Sequence, residues 1–178
     1  KSSLPHDHPL NTGSVGVTGS SASNLLAEQA DLVLAVGSRL QDFTTGSWAL
    51  FKADGVKIVG LNAQAFDAGK HRAMPLVADA KAGLEALEQK LGGWKTAEAW
   101  VSTAKAAKTE WLAAAKAVTD PTNALPSDAQ VIGAVSRAKG SGVTLVCASG
   151  GLPGELHKLW PAGEPGSYHM EYGYSTMG

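Results

Sequence analysis

The stretch Asp31-Leu32-Val33-Leu34-Ala35-Val36-Gly37-Ser38-Arg39 decides the fold class. Five consecutive apolar residues, opened by an acid and closed by a glycine, read as a short strand of the kind buried on both faces of a parallel sheet. The pattern returns downstream. Val56-Lys-Ile-Val-Gly-Leu61 follows Asp54-Gly55 and ends at Asn62, and Pro75-Leu-Val-Ala78 is a third, shorter run. Helical patterns lie between and after these runs, so strand and helix alternate as they do around right-handed crossovers. The expectation is an α/β fold with a Rossmann-like parallel sheet.

The helix signals are local and chemical. Ser21 is placed to cap a segment carrying Leu25, Leu26 and Ala30 on one side. Asp79 caps the next, where Ala80, Leu84, Leu87 and Leu91 recur at helical spacing before Gly92-Gly93 ends it. From Thr96 to Val118 the apolar stripe is Trp100, Ala104, Ala107, Trp111, Ala115 and Val118, with Lys105, Lys108 and Lys116 opposite. Asp120-Pro121-Thr122-Asn123 follows, and this long helix reads as a connector between two units.

A second α/β unit starts beyond it. Ser127-x-x-Gln130 is a capping box leading into Val131, Ile132 and Val135. Val143 to Ala148 is a buried-strand run that opens into Ser149-Gly150-Gly151-Leu152-Pro153-Gly154, ahead of a helical stretch through Leu156, Leu159 and Trp160. A glycine-rich turn between strand and helix presents free backbone N–H groups at the positive end of the helix dipole, where such folds bind phosphate. The expected organisation is residues 1–93 as a central Rossmann-like unit, 94–126 as connecting helix and linker, and 127–178 as the start of a second α/β domain.

Composition narrows the function. The 178 residues carry 15 Lys+Arg against 16 Asp+Glu, a net charge of -1 that removes the basic footprint of a nucleic-acid or anionic-membrane binder. No apolar run approaches the roughly 20 residues of a membrane-spanning helix. One cysteine, Cys147, excludes an internal disulfide and fits a reducing cytoplasm. The chain lacks an initiating methionine and stops at Gly173-Tyr-Ser-Thr-Met-Gly178, a run resembling a helix entrance, so the expectation is a piece of a longer protein.

Other constellations have plainer readings. Gly13-Ser-Val-Gly16-Val-Thr-Gly19-Ser-Ser21 runs into a helix start, but G-x-x-G-x-x-G is neither the dinucleotide fingerprint nor the Walker loop, leaving a phosphate loop or a tight turn at positive φ. His6-x-His8 lies between prolines without a third ligand, which fits an extended surface loop better than zinc. His71, flanked by Lys70 and Arg72, is a solvated basic corner or faces an anionic cofactor. Cys147 within an apolar strand reads as an inert thiol. Tyr168-His-Met-Glu-Tyr172 alternates like a strand, with catalytic use of His169 or Glu171 as the alternative.

Asp31-Leu-Val-Leu-Ala-Val-Gly37-Ser38-Arg39-Leu-Gln-Asp42-Phe-Thr-Thr-Gly46 resembles the central-domain signature of thiamine-diphosphate enzymes of the acetolactate synthase type, and Gly173-Tyr-Ser-Thr-Met-Gly178 resembles the opening of their cofactor-binding domain. Within that group, Gly16-Val-Thr-Gly-Ser20, Gly151-Leu-Pro-Gly-Glu-Leu-His-Lys-Leu-Trp160 and Tyr168 to Gly178 are most similar to the branch that hydrolyses a C–C bond of a cyclic 1,2-dione derived from inositol.

The resemblance implies thiamine diphosphate and Mg2+ in the whole protein, a small-molecule substrate and a homodimer or homotetramer. It implies that Gly151, Leu152 and Gly154 offer N–H groups to the diphosphate, although relatives often carry polar side chains where Leu152 and Pro153 stand. It places Ser175, Thr176 and Met177 around the aminopyrimidine ring: the Ser175 carbonyl to the exocyclic amine, the Met177 N–H to a ring nitrogen, and the Met177 side chain bending the cofactor into a V. Read without the resemblance, Met177 is simply core.

Gly37, Ser38 and Arg39 match the region that contacts FAD or a nucleotide in some relatives, but Asn62 stands where an acidic residue commonly ends the next strand, which argues against FAD. The family's G-D-G…N magnesium motif and its activating glutamate do not occur in these 178 residues. The expectation is therefore no catalytic or metal residue here and an inactive segment by itself. Two alternatives stay open: a 2-keto acid carboligase or decarboxylase of the same family, and a non-catalytic nucleotide-binding or oligomerisation module.

Overall fold

The structure is a computed structural model and describes residues 3–170. The three apolar runs of the first half become β1 (Leu32–Val36), β2 (Lys57–Asn62) and β3 (Met74–Val77), all parallel and in the order β1-β2-β3. Leu32 lies opposite Lys57 and Val36 opposite Leu61, while Val59 pairs with Met74 and Asn62 with Val77. The connections are helical, as parallel neighbours require: α2 (Asp42–Thr45) between the first two strands, and α3 (Ala65–Ala68) with a 3-10 turn at Lys70–Arg72 between the second and third. α1 (Ser21–Gln29) precedes the sheet and α4 (Ala80–Leu91) follows it.

The second half carries α5 (Glu98–Thr119), α6 (Asp128–Ala138), β4 (Leu145–Cys147), α7 (Gly151–Leu159) and β5 (Tyr168–Met170). β4 and β5 form a separate two-stranded parallel sheet, with Leu145 opposite Tyr168 and Cys147 opposite Met170. Ile132, Leu156, Trp160, Ala162 and Tyr168 form the buried cluster beneath it, and Leu145, Cys147, Leu159 and Met170 pack around them. α5 packs against α1 on one side and α6 on the other, so it links the two units physically as well as in sequence. No described helix is long and apolar enough to cross a membrane.

The local chemistry accounts for the helix ends. Asp79 accepts from the N–H groups of Lys81 and Ala82, and Gly92 closes α4 with its N–H on the Glu88 carbonyl. Ser127 and Gln130 complete a reciprocal capping box, with Ser127 N donating to Gln130 Oε1 at 2.8 Å.

Four expectations need correcting. The cap of α1 is Ser20, not Ser21: Ser20 is extended (φ -75, ψ 151) and its oxygen accepts from Ser23 N, whereas Ser21 is already helical. β1 is not buried on both faces, since Leu32, Leu34 and Val36 remain 52%, 43% and 38% exposed. β1 pairs only with β2 among the described strands, and Leu32, Leu34 and Val36 line an open groove with Leu26 and Ala27 of α1 and Trp100 of α5. The run from Val143 to Ala148 contributes three strand residues, Leu145 to Cys147, which pair with β5 among the described residues. Lys108 does not stand in solvent opposite the stripe of α5; its ammonium donates to the carbonyls of His8 at 2.6 Å and His6 at 3.2 Å, pinning the opening loop to the helix.

Candidate functional site

α7 begins with an uncapped turn. Gly150 adopts φ 144, ψ -171, an extended conformation open to glycine and strained for any other residue, and contributes no side-chain cap. The N–H groups of Gly151 and Leu152 meet no acceptor among the described residues, and a methyl group built at Gly151 touches nothing within 4 Å. Pro153 has no N–H to give. Two parallel donors at the positive end of a nine-residue helix, beside open space, suit a phosphate-bearing ligand.

Gly154 differs from its sequence reading as a third donor. Its N–H is bonded to the Gly150 carbonyl at 3.2 Å, the first intrahelical bond of α7, so the hydrogen is spent on closing the turn. Its Cα side faces Thr18, whose Cγ2 lies 3.5 Å from where a Cβ would stand, an ordinary contact distance. Ser175, Thr176 and Met177 lie outside the described residues.

The glycine-rich loop before α1 resolves as a structural knuckle. Gly13 N donates to Asn11 Oδ1, Gly16 N to Asn24 Oδ1, Val17 N to the Phe43 carbonyl, Gly19 N to the Gly16 carbonyl and Ser20 N to the Ser14 carbonyl. These five donors are used internally, and Asn24 Nδ2 returns a bond to the Gly16 carbonyl at 3.0 Å. Of the two open readings, the tight turn at positive φ describes this loop, with Gly13 at 106° and Gly16 at 105°.

Gly37, Ser38 and Arg39 sit at the carboxyl ends of β1 and β2, the edge where open parallel sheets take ligands. Gly37 N is bonded to the Leu61 carbonyl at 2.8 Å. Asn62 Nδ2 donates to the Ser38 carbonyl at 3.4 Å and Lys70 Nζ to the Arg39 carbonyl at 3.3 Å. Asn62 thus braces the loop through an amide donor that a carboxylate lacks. The basic corner of Lys70, His71 and Arg72 folds toward the same loop, with the His71 ring tilted on Trp48 at 3.9 Å between centroids.

The remaining candidates have structural partners or lie on the surface. His8 Nδ1 accepts from Leu10 N at 3.2 Å as part of the opening loop, and no group of three metal-ligating side chains occurs among the described residues. Cys147 is half-buried with its sulfur 3.6 Å from Tyr168 Oη, and His169 is exposed on β5.

One pair escaped the sequence reading. Thr18 Oγ1 lies 2.9 Å from His157 Nδ1, joining residues 139 positions apart. The His157 ring is also stacked with Tyr168, centroids 6.0 Å apart. No periodicity or spacing marks such a contact; its only trace is a histidine in the last turn of a short helix.

A three-stranded parallel sheet thus carries a braced loop at its carboxyl edge, and the second parallel sheet has a glycine turn that exposes two donors. Residues 1–87 match the family model described as thiamine pyrophosphate enzyme, central domain. Over its whole length it is similar to a 3D-(3,5/4)-trihydroxycyclohexane-1,2-dione hydrolase of Geobacillus thermodenitrificans, at 39% identity over 200 aligned positions. The proteins of that name from Clostridium botulinum and, as hydrolase 2, from Bacillus cereus are 36% and 34% identical. All of this chain is covered in each case, and it spans 31% to 32% of the length of these curated relatives.

Proposed function

We propose that this chain is part of a thiamine-diphosphate-dependent hydrolase that opens trihydroxycyclohexane-1,2-dione in inositol breakdown. The observation that carries the reading is that similarity to hydrolases of that name runs through the whole chain, including the α7 turn with its two unspent donors. Bound thiamine diphosphate supplies a carbon nucleophile and an electron sink for C–C cleavage; the protein contributes binding and orientation.

Gly151 and Leu152 donate to the diphosphate from the start of α7, where the dipole of the helix adds to the attraction. Pro153 fixes the first turn without competing as a donor, and Gly154 closes it. Ser175, Thr176 and Met177 hold the aminopyrimidine end, on the strength of the family resemblance. The two-donor cradle is short of what a doubly charged group requires, so Mg2+ completes its neutralisation through residues outside this sequence. A cytoplasmic homo-oligomer acting on a small polyhydroxylated ring accords with the near-neutral net charge of -1.

The test is an assay of the full-length protein with thiamine diphosphate and Mg2+, offering the cyclic dione, pyruvate and glyoxylate in parallel. Acid formation from the dione is expected; turnover of the keto acids alone makes it a carboligase or decarboxylase instead. Titration calorimetry on the 178-residue chain should give no micromolar binding of the cofactor.

A further inference from the structure

We propose that Thr18 is a positioning residue, which holds α7 through His157 and so sets where the Gly151 and Leu152 donors point. The inference rests on the reading of α7 as the diphosphate helix. Thr18 meets the helix at two positions three residues apart, which share one face. Its hydroxyl bonds His157 Nδ1 at 2.9 Å, and its methyl lies 3.5 Å from where a Gly154 side chain would begin. Ser14 Oγ adds a bond to the His157 carbonyl at 3.4 Å while also reaching the Thr18 carbonyl at 3.2 Å.

The other end of the link is rigid. Thr18 stands in the knuckle, five of whose N–H groups are bonded within the fold, and Gly16 is clasped by both amide atoms of Asn24 on α1. α1 in turn packs on α5. A displacement of the knuckle is therefore transmitted to His157, four residues beyond Pro153 on a nine-residue helix with no internal joint. α7 is also anchored by Leu156 and Trp160 in the buried cluster and by the His157 ring stacked on Tyr168, and the bonds from Thr18 and Ser14 add a directional tie at His157.

The experiment uses the full-length protein with Thr18→Val, which keeps the shape and loses the hydroxyl, Thr18→Ser, which keeps the hydroxyl, His157→Leu, and the double variant Thr18→Val/His157→Leu. Amide hydrogen exchange without cofactor should quicken across residues 151–159 in Thr18→Val while α1 and α5 keep their protection. The dissociation constant for thiamine diphosphate should rise roughly fivefold, the worth of one hydrogen bond, with kcat at saturating cofactor within about twofold of wild type. Thr18→Ser should restore exchange and affinity, and the double variant should be no weaker than His157→Leu alone, because both remove one bond. Unchanged exchange across 151–159 in Thr18→Val overturns the proposal, as does faster exchange with unchanged cofactor affinity. Faster exchange in a protein whose wild type binds no cofactor leaves the link standing and sinks the diphosphate reading instead.

Discussion

Replacing Gly16 by alanine should be among the most damaging single changes in the first half of the chain. A Cβ at that position would overlap the Phe43 carbonyl oxygen and lie 2.8 Å from both Thr44 Cα and Thr44 O, all backbone atoms that cannot swing aside. The residue's φ of +105° adds a cost of about 1–3 kcal/mol for any side chain. Relieving the overlap means parting the knuckle from α2, which breaks the 2.8 Å bond from Val17 N to Phe43 O at a further cost of about 1 kcal/mol. The sum is on the order of 2–4 kcal/mol before any loss of the Asn24 clasp. Gly55 supplies the control, because its φ of +76° is also left-handed but a Cβ there meets nothing within 4 Å. Gly55→Ala should cost only about 1–2 kcal/mol. Urea unfolding of both variants, followed by tryptophan fluorescence, reads the difference as a shift in midpoint. If Gly16→Ala unfolds at the same urea concentration as Gly55→Ala, the close approach of knuckle and α2 is refuted.

Gly151→Pro removes one proposed diphosphate donor at a first-turn position where proline is welcome; circular dichroism should stay unchanged while the cofactor dissociation constant of the full-length protein rises roughly tenfold or more. Ser20→Ala deletes the cap of α1 and the 2.6 Å bond to the Thr12 carbonyl at a fully buried site, which should cost about 1–3 kcal/mol in urea unfolding. Leu61→Ala empties a side chain with no exposed surface and should cost about 2–5 kcal/mol by the same measurement. Asp120→Asn breaks an exposed pair with Lys116 at 2.7 Å and should leave the midpoint nearly unmoved.

What could be read from sequence was whatever depends on near neighbours. The runs at Leu32, Val56 and Pro75 announce strands because β-rich apolar residues sit between turn residues, and Asp79 and Ser127 announce helix starts because their side chains reach N–H groups two or three positions on. Ser20 against Ser21 was a one-residue ambiguity between adjacent hydroxyls that only backbone angles separate. Exposure of Leu34 depends on what lies across the sheet, and periodicity carries no such information. The same holds at the site: glycine content pointed to both Gly13–Gly19 and Gly150–Gly154, but which N–H groups are already spent is a matter of partners such as Asn24 and Phe43, distant in sequence. The resemblance named Gly154 as a donor, whereas helix hydrogen bonding assigns its proton to Gly150.

The strap formed by the opening loop has a temporal side. His6 N bonds the Ala162 carbonyl and Thr18 bonds His157, so residues made early wait for partners made about 140 to 156 positions later. At ribosomal speeds of about 5–20 residues per second, that is a delay of roughly 7–30 s. From the completion of β3 at Val77 onward the three-stranded sheet has all its strands while His6 and Thr18 still lack these partners, and a chaperone or a protease meets the loop around His6 before α7 does.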